Sequence, residues 1–165
     1  MQLTRNDRKR VVITGIGVVS PLGNKSSFWD AIKNGESGIR RLQNIDIDHL
    51  DVKIGAEVLN FDSSEYIPPK EARRMGRSSQ FAVVAALQAL EDAGLSADEI
   101  STIGERVGTI IGTTLGSYDV GESGIHAWRQ SDSKRANPPS IINALPNIPS
   151  LYVSRTPGPS VPFIT

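Results

Sequence analysis

The chain has 165 residues, a length typical of one domain with a sizeable hydrophobic core. Lysine plus arginine and aspartate plus glutamate each number 18, so the formal net charge is zero. That balance argues against a nucleic-acid-binding protein that works through its overall charge, and it leaves room for a local basic patch.

The N-terminal sequence and the hydropathy pattern bear on location. No apolar run approaches the roughly 18 residues needed to span a bilayer. The opening MQLTRNDRKR lacks the apolar segment of a secretory signal. We therefore expect a cytoplasmic protein without a membrane partner.

The composition limits the chemistry that these residues can carry. There is no cysteine, which removes disulfides, thiolate metal sites and a cysteine nucleophile. The histidines, His49 and His126, stand far apart and have no neighbouring cluster of ligand residues. We interpret both as surface or loop residues, and we predict neither a metal site nor a bound cofactor.

The first elements in chain order are those that open an α/β domain. RVVITGIG, residues 10–17, is an apolar, β-branched run ended by two glycines, which predicts a buried parallel strand. In SPLGNKSSFWDAIKNGESGI, Asn24 or Ser26 can cap a helix that Gly35 closes. Strand, glycine-rich turn and helix in this order are typical of an α/β domain.

The strongest helix pattern is KEARRMGRSSQFAVVAALQALEDAGL, which follows a stretch compatible with one exposed strand at residues 52–58. Ser78 or Ser79 can cap this helix, residues 81–93 contain no breaker, and Gly94 ends it. The helix is apolar on most faces and rich in alanine. We therefore predict that it is buried and that other backbone segments approach it closely.

The second half of the chain continues the pattern less regularly. RVGTIIGTTLGS, residues 106–117, predicts a second buried strand that runs into a glycine-rich turn. Residues 121–139 indicate a mostly irregular or short-helical insertion. SIINALPNIPSLYV has helical spacing interrupted by Pro146 and Pro149, and TPGPSVPFIT, residues 156–165, ends in an apolar run that predicts a buried strand.

One glycine pair resembles part of a nucleotide-binding loop. Gly15-Ile16-Gly17 stands at a strand-to-helix turn, but Ser20 takes the place of the third glycine in G-x-G-x-x-G. Glu36 lies near the distance of a ribose-binding acid, yet it falls in a turn and not at a strand end. We therefore favour glycines that allow a tight crossover between strand and helix.

A basic cluster precedes the buried helix. Lys70, Arg73 and Arg74 are spaced i, i+3 and i+4, so they share one face of a helical turn. The spacing alone is compatible with a solvated face or with a docking patch for an acidic partner. No Ser-His-Asp or Cys-His arrangement can be assembled from the residues present.

Taken together, these blocks resemble a known family. RVVITGIGVVSPLGN is similar to the opening of β-ketoacyl-acyl-carrier-protein synthases, particularly the synthase II type. The similarity continues in order through WDAIKNGESGI, KEARRMGRSSQFAVVAALQALEDAGL, RVGTIIGTTLG, PPSIINALP and GPSVPFIT, and covers essentially the whole chain. It implies a thiolase-like α/β fold of two related halves, each with a five-stranded mixed sheet layered with helices. Residues 1–165 would supply most of the first half.

The resemblance also implies a reaction. The family performs a decarboxylative Claisen condensation, in which the carbanion from malonyl-carrier protein attacks an acyl chain held on a cysteine. Gly158, Pro159, Ser160 and Thr165 fit the strand that leads to this nucleophile. We therefore expect the N-terminal portion of a longer enzyme, with the cysteine two positions past Thr165. No catalytic residue is expected within the chain, since neither family histidine falls in it.

Five residues match peripheral functional positions of the family. Leu115 matches the apolar residue that gates the acyl pocket, and Ile141 matches one that reaches the end of that pocket across the dimer. Lys70, Arg73 and Arg74 match the basic patch that faces the acidic acyl carrier protein. The implied partners are this carrier, a second copy of the chain, and acyl and malonyl thioesters.

Two other functions are compatible with parts of the sequence. A non-catalytic relative that pairs with a ketosynthase and shapes chain length would share these motifs but would lack the cysteine. A nucleotide-binding α/β domain is the more distant alternative, because it depends on the incomplete glycine motif alone.

Overall fold

The computed structural model describes residues 9–130, 138–156 and 163–164. Its helices are α1 (Lys25–Lys33), α2 (Pro69–Ala72), α3 (Arg77–Ala93), α4 (Ala97–Ile103), α5 (Tyr118–Gln130), α6 (Pro138–Asn143) and α7 (Ile148–Arg155). A 3-10 turn at Gly104–Arg106 follows α4. The strands are β1 (Arg40–Arg41), β2 (Ile54–Gly55), β3 (Thr109–Ile110) and β4 (Phe163–Ile164). None of the described helices is long and apolar enough to cross a membrane.

The strands form two separate pairs. β1 and β2 are antiparallel, with Arg40 opposite Gly55, whereas β3 and β4 are parallel, with Thr109 opposite Phe163. The parallel pair joins segments more than 50 residues apart, as in an α/β domain. The residues described here thus contain two two-stranded ladders, and they do not contain the full five-stranded sheet that the resemblance implies.

Helix α3 lies at the centre of the core. Val83 and Val84 on α3 and Ile67 before α2 are 2–3% exposed and form the buried apolar cluster. Tyr152 and Val153 of α7 pack against this cluster, which joins α7 to α3. Fully burying an aliphatic side chain contributes about 1.5–3 kcal/mol, so this junction supplies much of the local stability.

The ends of α3 confirm one prediction and correct another. The helix ends at Gly94, whose φ of 67° is in the left-handed region, as predicted. Its N-cap is Gly76, so the prediction of a Ser78 or Ser79 cap is wrong. Their hydroxyls face Ser117 instead, at 2.7 Å and 3.5 Å between the Oγ atoms. The two serines thus connect α3 to the start of α5.

Residues 10–17 are not the buried strand that their sequence predicts. They belong to no ladder formed by the described residues, and Val11 and Ile13 are 94% and 84% exposed. The Ile16 amide donates instead to Asp92 Oδ2 at 2.9 Å, and the Val18 amide donates to Gln88 Oε1 at 3.0 Å. Side chains of α3 thus satisfy backbone donors that a neighbouring strand would otherwise satisfy.

Helix α1 forms as predicted. Asn24 is the N-cap, and its side chain accepts a hydrogen bond from the Ser27 amide. Gly35, with a φ of 71°, follows the C-cap Asn34, and the next amide bonds back to the Ala31 carbonyl oxygen. The capping signals at both ends therefore predicted this helix correctly.

The strands predicted at residues 52–58 and 106–117 are short. β2 and β3 have two residues each. Ile110 of β3 is 79% exposed, so the prediction of a buried strand within residues 106–117 is wrong. In the described part β3 pairs only with the two residues of β4, which leaves most of the apolar run without a ladder partner. An apolar run predicts burial only where a neighbouring strand or helix covers it.

Helix α5 corrects the prediction of a mostly irregular or short-helical insertion, because it runs for 13 residues. Gly121 and Gly124 argue against a helix by intrinsic propensity, but both lie where α5 packs against α6. A β-carbon at Gly121 would lie 2.9 Å from Ala144 Cβ, and one at Gly124 would lie 3.1 Å from Ser140 Cβ. Close packing of two helices therefore outweighs the low helix propensity of glycine. α6 and α7 confirm the helical spacing interrupted by prolines.

Candidate functional site

Lys70, Arg73 and Arg74 form an exposed basic patch at α2. Lys70 lies within the helix, Arg73 is its C-cap, and Arg74 follows directly. All three residues are exposed, and none of the side-chain ion pairs among the described residues involves them. The structure thus places the three cations together at the surface, as their spacing predicts. Their positive charge is available to an external anion.

The end of the basic patch is fixed to two later helices. The Arg74 carbonyl oxygen accepts a hydrogen bond from Asn143 Nδ2 at 2.7 Å, at the end of α6. The Tyr152 hydroxyl of α7 lies 3.4 Å from the same carbonyl oxygen. Tyr152 in turn donates to Asn143 Oδ1 at 3.0 Å, so the three residues form one polar network. The position of Arg74 relative to α7 is therefore well defined.

A glutamine satisfies other carbonyl groups at the end of α2. Gln80 Nε2 donates to the carbonyl oxygens of Ala72 and Met75, at 3.0 Å and 3.2 Å. The Ser63 hydroxyl donates to Gln80 Oε1 at 3.2 Å. Because the last carbonyls of a helix lack partners within it, these bonds stabilise a helix of only four residues. They hold the basic patch against the buried face of α3.

A cleft of about 610 Å³ lies between α2 and α7, next to the basic patch. Glu71 and Arg74 line it on the α2 side, and Tyr152 and Arg155 line it on the α7 side. Burial raises the pKa of the Tyr152 hydroxyl, while the positive charges of Arg155 and Arg74 act in the opposite direction. Both guanidinium groups therefore lie close enough to Tyr152 to act on it electrostatically.

The two residues matched to the acyl pocket lie on neighbouring segments. Leu115, in the turn between β3 and α5, is 62% exposed, and Ile141 on α6 is 68% exposed. The turn packs against the chain that follows α6, because a β-carbon at Gly116 would lie 2.9 Å from Pro146 Cα. The remaining predicted site residues, Gly158, Pro159, Ser160 and Thr165, lie outside the described residues.

The glycine motif near the N-terminus serves packing. A β-carbon at Gly15 would lie 2.8 Å from the Ala93 nitrogen, and one at Gly17 would lie 2.8 Å from the Ala85 carbonyl carbon. The intervening Ile16 amide is bonded to Asp92, so it does not point into an open anion site. This geometry supports the prediction of close backbone approach to α3 and gives no support to a dinucleotide site.

The histidines have no metal-site geometry. His49 and His126 are both exposed, and His126 Nε2 lies 2.8 Å from Gln130 Nε2 on the same helix. Among the described residues, no group of three or more histidine and carboxylate side chains could hold a metal ion.

Sequence reasoning missed the residues that support the basic patch. Gln80 supports it through bonds to carbonyl groups eight and five residues earlier, whereas Asn143 and Tyr152 lie 69 and 78 residues after Arg74. Arg155 could have been found from the sequence, because it is spaced i+3 from Tyr152 and the two residues therefore share one face of a helix. No local pattern identifies the pairing of Asn143 with Arg74, which are 69 residues apart.

The fold and the site together define a thiolase-like α/β domain, and comparisons with known proteins identify its family. The family model described as "Beta-ketoacyl synthase, N-terminal domain" matches residues 8–162. The chain is 37% identical over 163 residues to 3-oxoacyl-[acyl-carrier-protein] synthase 2 of Coxiella burnetii. The chain therefore belongs to the β-ketoacyl synthase family.

Solved structures agree with this assignment and confirm the predicted fold class. The ishigamide ketosynthase/chain length factor is 28% identical and superposes with a TM-score of 0.80 over 96% of this chain. A beta-ketoacyl synthase from Burkholderia phymatum is 30% identical and superposes with a TM-score of 0.77 over 95% of this chain.

The similarity covers most of this chain and a smaller part of its relatives. The alignment with the Coxiella burnetii synthase includes 96% of this chain and 39% of that protein. The two structural alignments include 40% and 39% of the solved chains. The chain thus spans about two fifths of the length of these relatives.

Proposed function

We propose that the chain forms the N-terminal part of a β-ketoacyl synthase that performs decarboxylative Claisen condensation in fatty-acid or polyketide elongation. The observation that carries this proposal is the family match over residues 8–162, together with 37% identity to a 3-oxoacyl-[acyl-carrier-protein] synthase 2. The proposal keeps the cytoplasmic location expected from the N-terminal sequence.

In this reaction an acyl group passes from its carrier thioester to an enzyme thiolate, and the carrier thiol leaves. Malonyl-carrier protein then loses carbon dioxide, and the resulting carbanion forms a carbon–carbon bond to the acyl carbonyl. The enzyme thiolate leaves, and a carrier-bound β-ketoacyl product remains. These 165 residues contain no cysteine, so the thiolate would come from another part of the enzyme. The contribution of this chain would be to bind the carrier and shape the acyl pocket.

The basic patch is the proposed docking surface for the acidic carrier. Lys70, Arg73 and Arg74 are exposed, unpaired with carboxylates among the described residues, and held on a supported turn. A surface of this kind attracts an acidic partner through a field that salt screens over about 10 Å at 0.1 M.

A second copy of the chain is the proposed partner on another surface, the one around α5 and α6. Leu115, Trp128, Ile141, Ile142 and Leu145 are 46–68% exposed on the segments around α5 and α6. Apolar side chains concentrated in this way are typical of surfaces that associate. The proposed roles of Leu115 and Ile141 in the acyl pocket require such a dimer, since Ile141 would reach the pocket of its partner.

One observation favours a second candidate function. The similar structures include the ishigamide ketosynthase/chain length factor, whose name includes a chain length factor. A non-catalytic partner subunit would share the fold and the apolar surface. The residue two positions past Thr165 distinguishes the two functions, since a cysteine there favours the catalyst and any other residue favours the partner.

The experiment starts from the DNA that follows codon 165. A polypeptide of full family length is assayed with acyl-carrier and malonyl-carrier substrates, and both carbon dioxide and the carrier-bound product are followed. We expect one carbon dioxide for each acyl chain lengthened by two carbons. The 165-residue chain is the matched control and should give neither product nor a covalent acyl adduct by mass spectrometry. Acylation of that chain in pure material would contradict the proposal.

The docking surface has a separate test. In the full-length polypeptide, R73E with R74E should raise the KM for the carrier-linked substrate about tenfold or more at low salt, with a smaller change in kcat. R129E, which reverses an exposed cation at the end of α5, is the matched control. If KM and kcat of the double variant are unchanged at low salt, the basic patch is a solvated surface and does not bind the carrier.

A further inference from the structure

We propose that the cleft between α2 and α7 is part of the carrier-docking surface and holds an acidic side chain of the carrier between Arg74 and Arg155. This inference rests on the proposed function, from which it takes its partner. It extends the surface beyond the basic patch to a cation on a different helix, Arg155, which lies 81 residues after Arg74 in the chain.

The charge of the cleft selects an anionic ligand. Arg74 and Arg155 contribute two guanidinium groups to its walls, and Glu71 contributes the one carboxylate among the residues that line it. The ion pairs of the described residues do not involve either arginine. Arginine presents several N–H donors in a planar fork that matches the geometry of a carboxylate. A carboxylate between two such groups would replace water with charge-assisted hydrogen bonds.

The two arginines share the cleft with one tyrosine. Arg74, Tyr152 and Arg155 all line it. Burial raises the pKa of the Tyr152 hydroxyl, and the positive charges of Arg155 and Arg74 both oppose that shift. The hydroxyl already donates to Asn143 and lies 3.4 Å from the Arg74 carbonyl oxygen. Tyr152 is therefore a positioning residue that fixes the walls of the cleft.

The walls are held before any ligand binds. Arg74 is fixed through its backbone to Asn143 of α6, and the cleft is closed below by Ile67 and Val83 of the buried core. A site that is already ordered loses less conformational entropy when it binds, which favours affinity. Both arginine side chains remain exposed and reachable from the surface.

The cleft is continuous with the basic patch, because Arg74 belongs to both. An acidic helix lying across Lys70 and Arg73 would bring its next carboxylate to the mouth of the cleft. Its volume of about 610 Å³ is ample for an aspartate or glutamate side chain. Charge complementarity and this continuity identify the acidic carrier as the occupant.

The test measures binding of a purified acyl carrier protein in its phosphopantetheinylated form to the full-length polypeptide, at low and at high salt. R155Q should weaken binding about 3- to 10-fold at low salt and R155K should weaken it less, since lysine keeps the charge. R129Q, at an exposed cation of α5, is the matched control and should bind as the unmodified protein does. Circular dichroism checks that each variant is folded.

A double-mutant cycle tests whether the two arginines hold the same carboxylate. R74Q and R155Q combined should cost less than the product of their separate effects, because either change already removes one side of the clamp. If R73Q weakens carrier binding while R155Q binds the carrier as tightly as R129Q does, the cleft proposal is wrong and docking at the basic patch remains supported. If R73Q, R74Q and R155Q all match R129Q, carrier docking at this surface is wrong as well.

Discussion

Gly17 provides the sharpest test of how the N-terminal segment packs on α3. G17A would place a methyl carbon 2.8 Å from the Ala85 carbonyl carbon and 2.9 Å from the Ala89 nitrogen. Favourable contacts between carbon atoms lie at about 3.5–4.0 Å, so the methyl group would be about 0.6 Å or more too close. The obstructing atoms are backbone atoms of a helix, which a rotamer change cannot move. The segment must therefore separate from α3.

The expected cost follows from this displacement. Overpacking a well-filled site destabilises proteins by about 1–3 kcal/mol, and a clash with helix backbone belongs at the upper end of that range. Replacing glycine with alanine also restricts the unfolded chain, which stabilises by about 0.4–1 kcal/mol. The net expectation is a loss of about 2 kcal/mol in the free energy of unfolding.

G108A is the matched control, because among the described residues no atom other than those of its chain neighbours lies within 4 Å of the added methyl group, and the φ of Gly108 is outside the left-handed region. We expect it to be neutral or stabilising by up to about 1 kcal/mol. Urea unfolding is followed by far-UV circular dichroism, since Trp29 and Trp128 are both largely exposed and respond weakly to unfolding. Equal stability of G17A and G108A would refute the close approach of this segment to α3.

Three further predictions test other contacts. R77A removes a guanidinium group that lies 5.1 Å and 5.6 Å from two phenylalanine ring centroids and bonds to a backbone carbonyl. Thermal unfolding should show that R77A lowers the free energy of unfolding by about 1 kcal/mol and that R77K lowers it less. The pKa of Asp92 is lowered by its bonds with Lys25 and a backbone amide, so its carboxylate stabilises the fold above about pH 4. This contribution disappears as the pH falls through the lowered pKa. In pH-dependent unfolding, D92N should therefore be less stable than the unmodified protein at neutral pH and should approach its stability in acid. V11T should change the free energy of unfolding by less than about 0.5 kcal/mol because Val11 is 94% exposed, whereas V83T should lower it several times more. If both variants lower the free energy of unfolding equally, residues 10–17 form a buried strand after all.

The sequence predicted the elements whose causes are local. α1 formed between Asn24 and Gly35 because a capping side chain and a left-handed glycine act within a few residues of the helix ends. The extent of α3 followed from an uninterrupted run of helix-forming residues ended by Gly94. The clustering of Lys70, Arg73 and Arg74 followed from their spacing alone.

The elements that were predicted wrongly depend on distant partners. Residues 10–17 have the composition of a buried strand, but a strand requires neighbours on its edges and faces, and Val11 has none in the described part. α5 contains glycines that lower helix propensity, and only the approach of α6 explains why they are accommodated. Similarity to a family supplied the overall fold that the periodicity of these segments could not.

The candidate docking surface combines both kinds of cause. Its charge is local, because three cations follow from one helical turn, and this part was predictable. Its geometry is not local, because Asn143 reaches back 69 residues to bond the Arg74 carbonyl oxygen and Tyr152 bonds to Asn143. Those bonds turn a group of exposed cations into one wall of a cleft whose other wall carries Arg155. A solvated basic face requires no such support, so the polar network is the feature of this surface that favours a binding role.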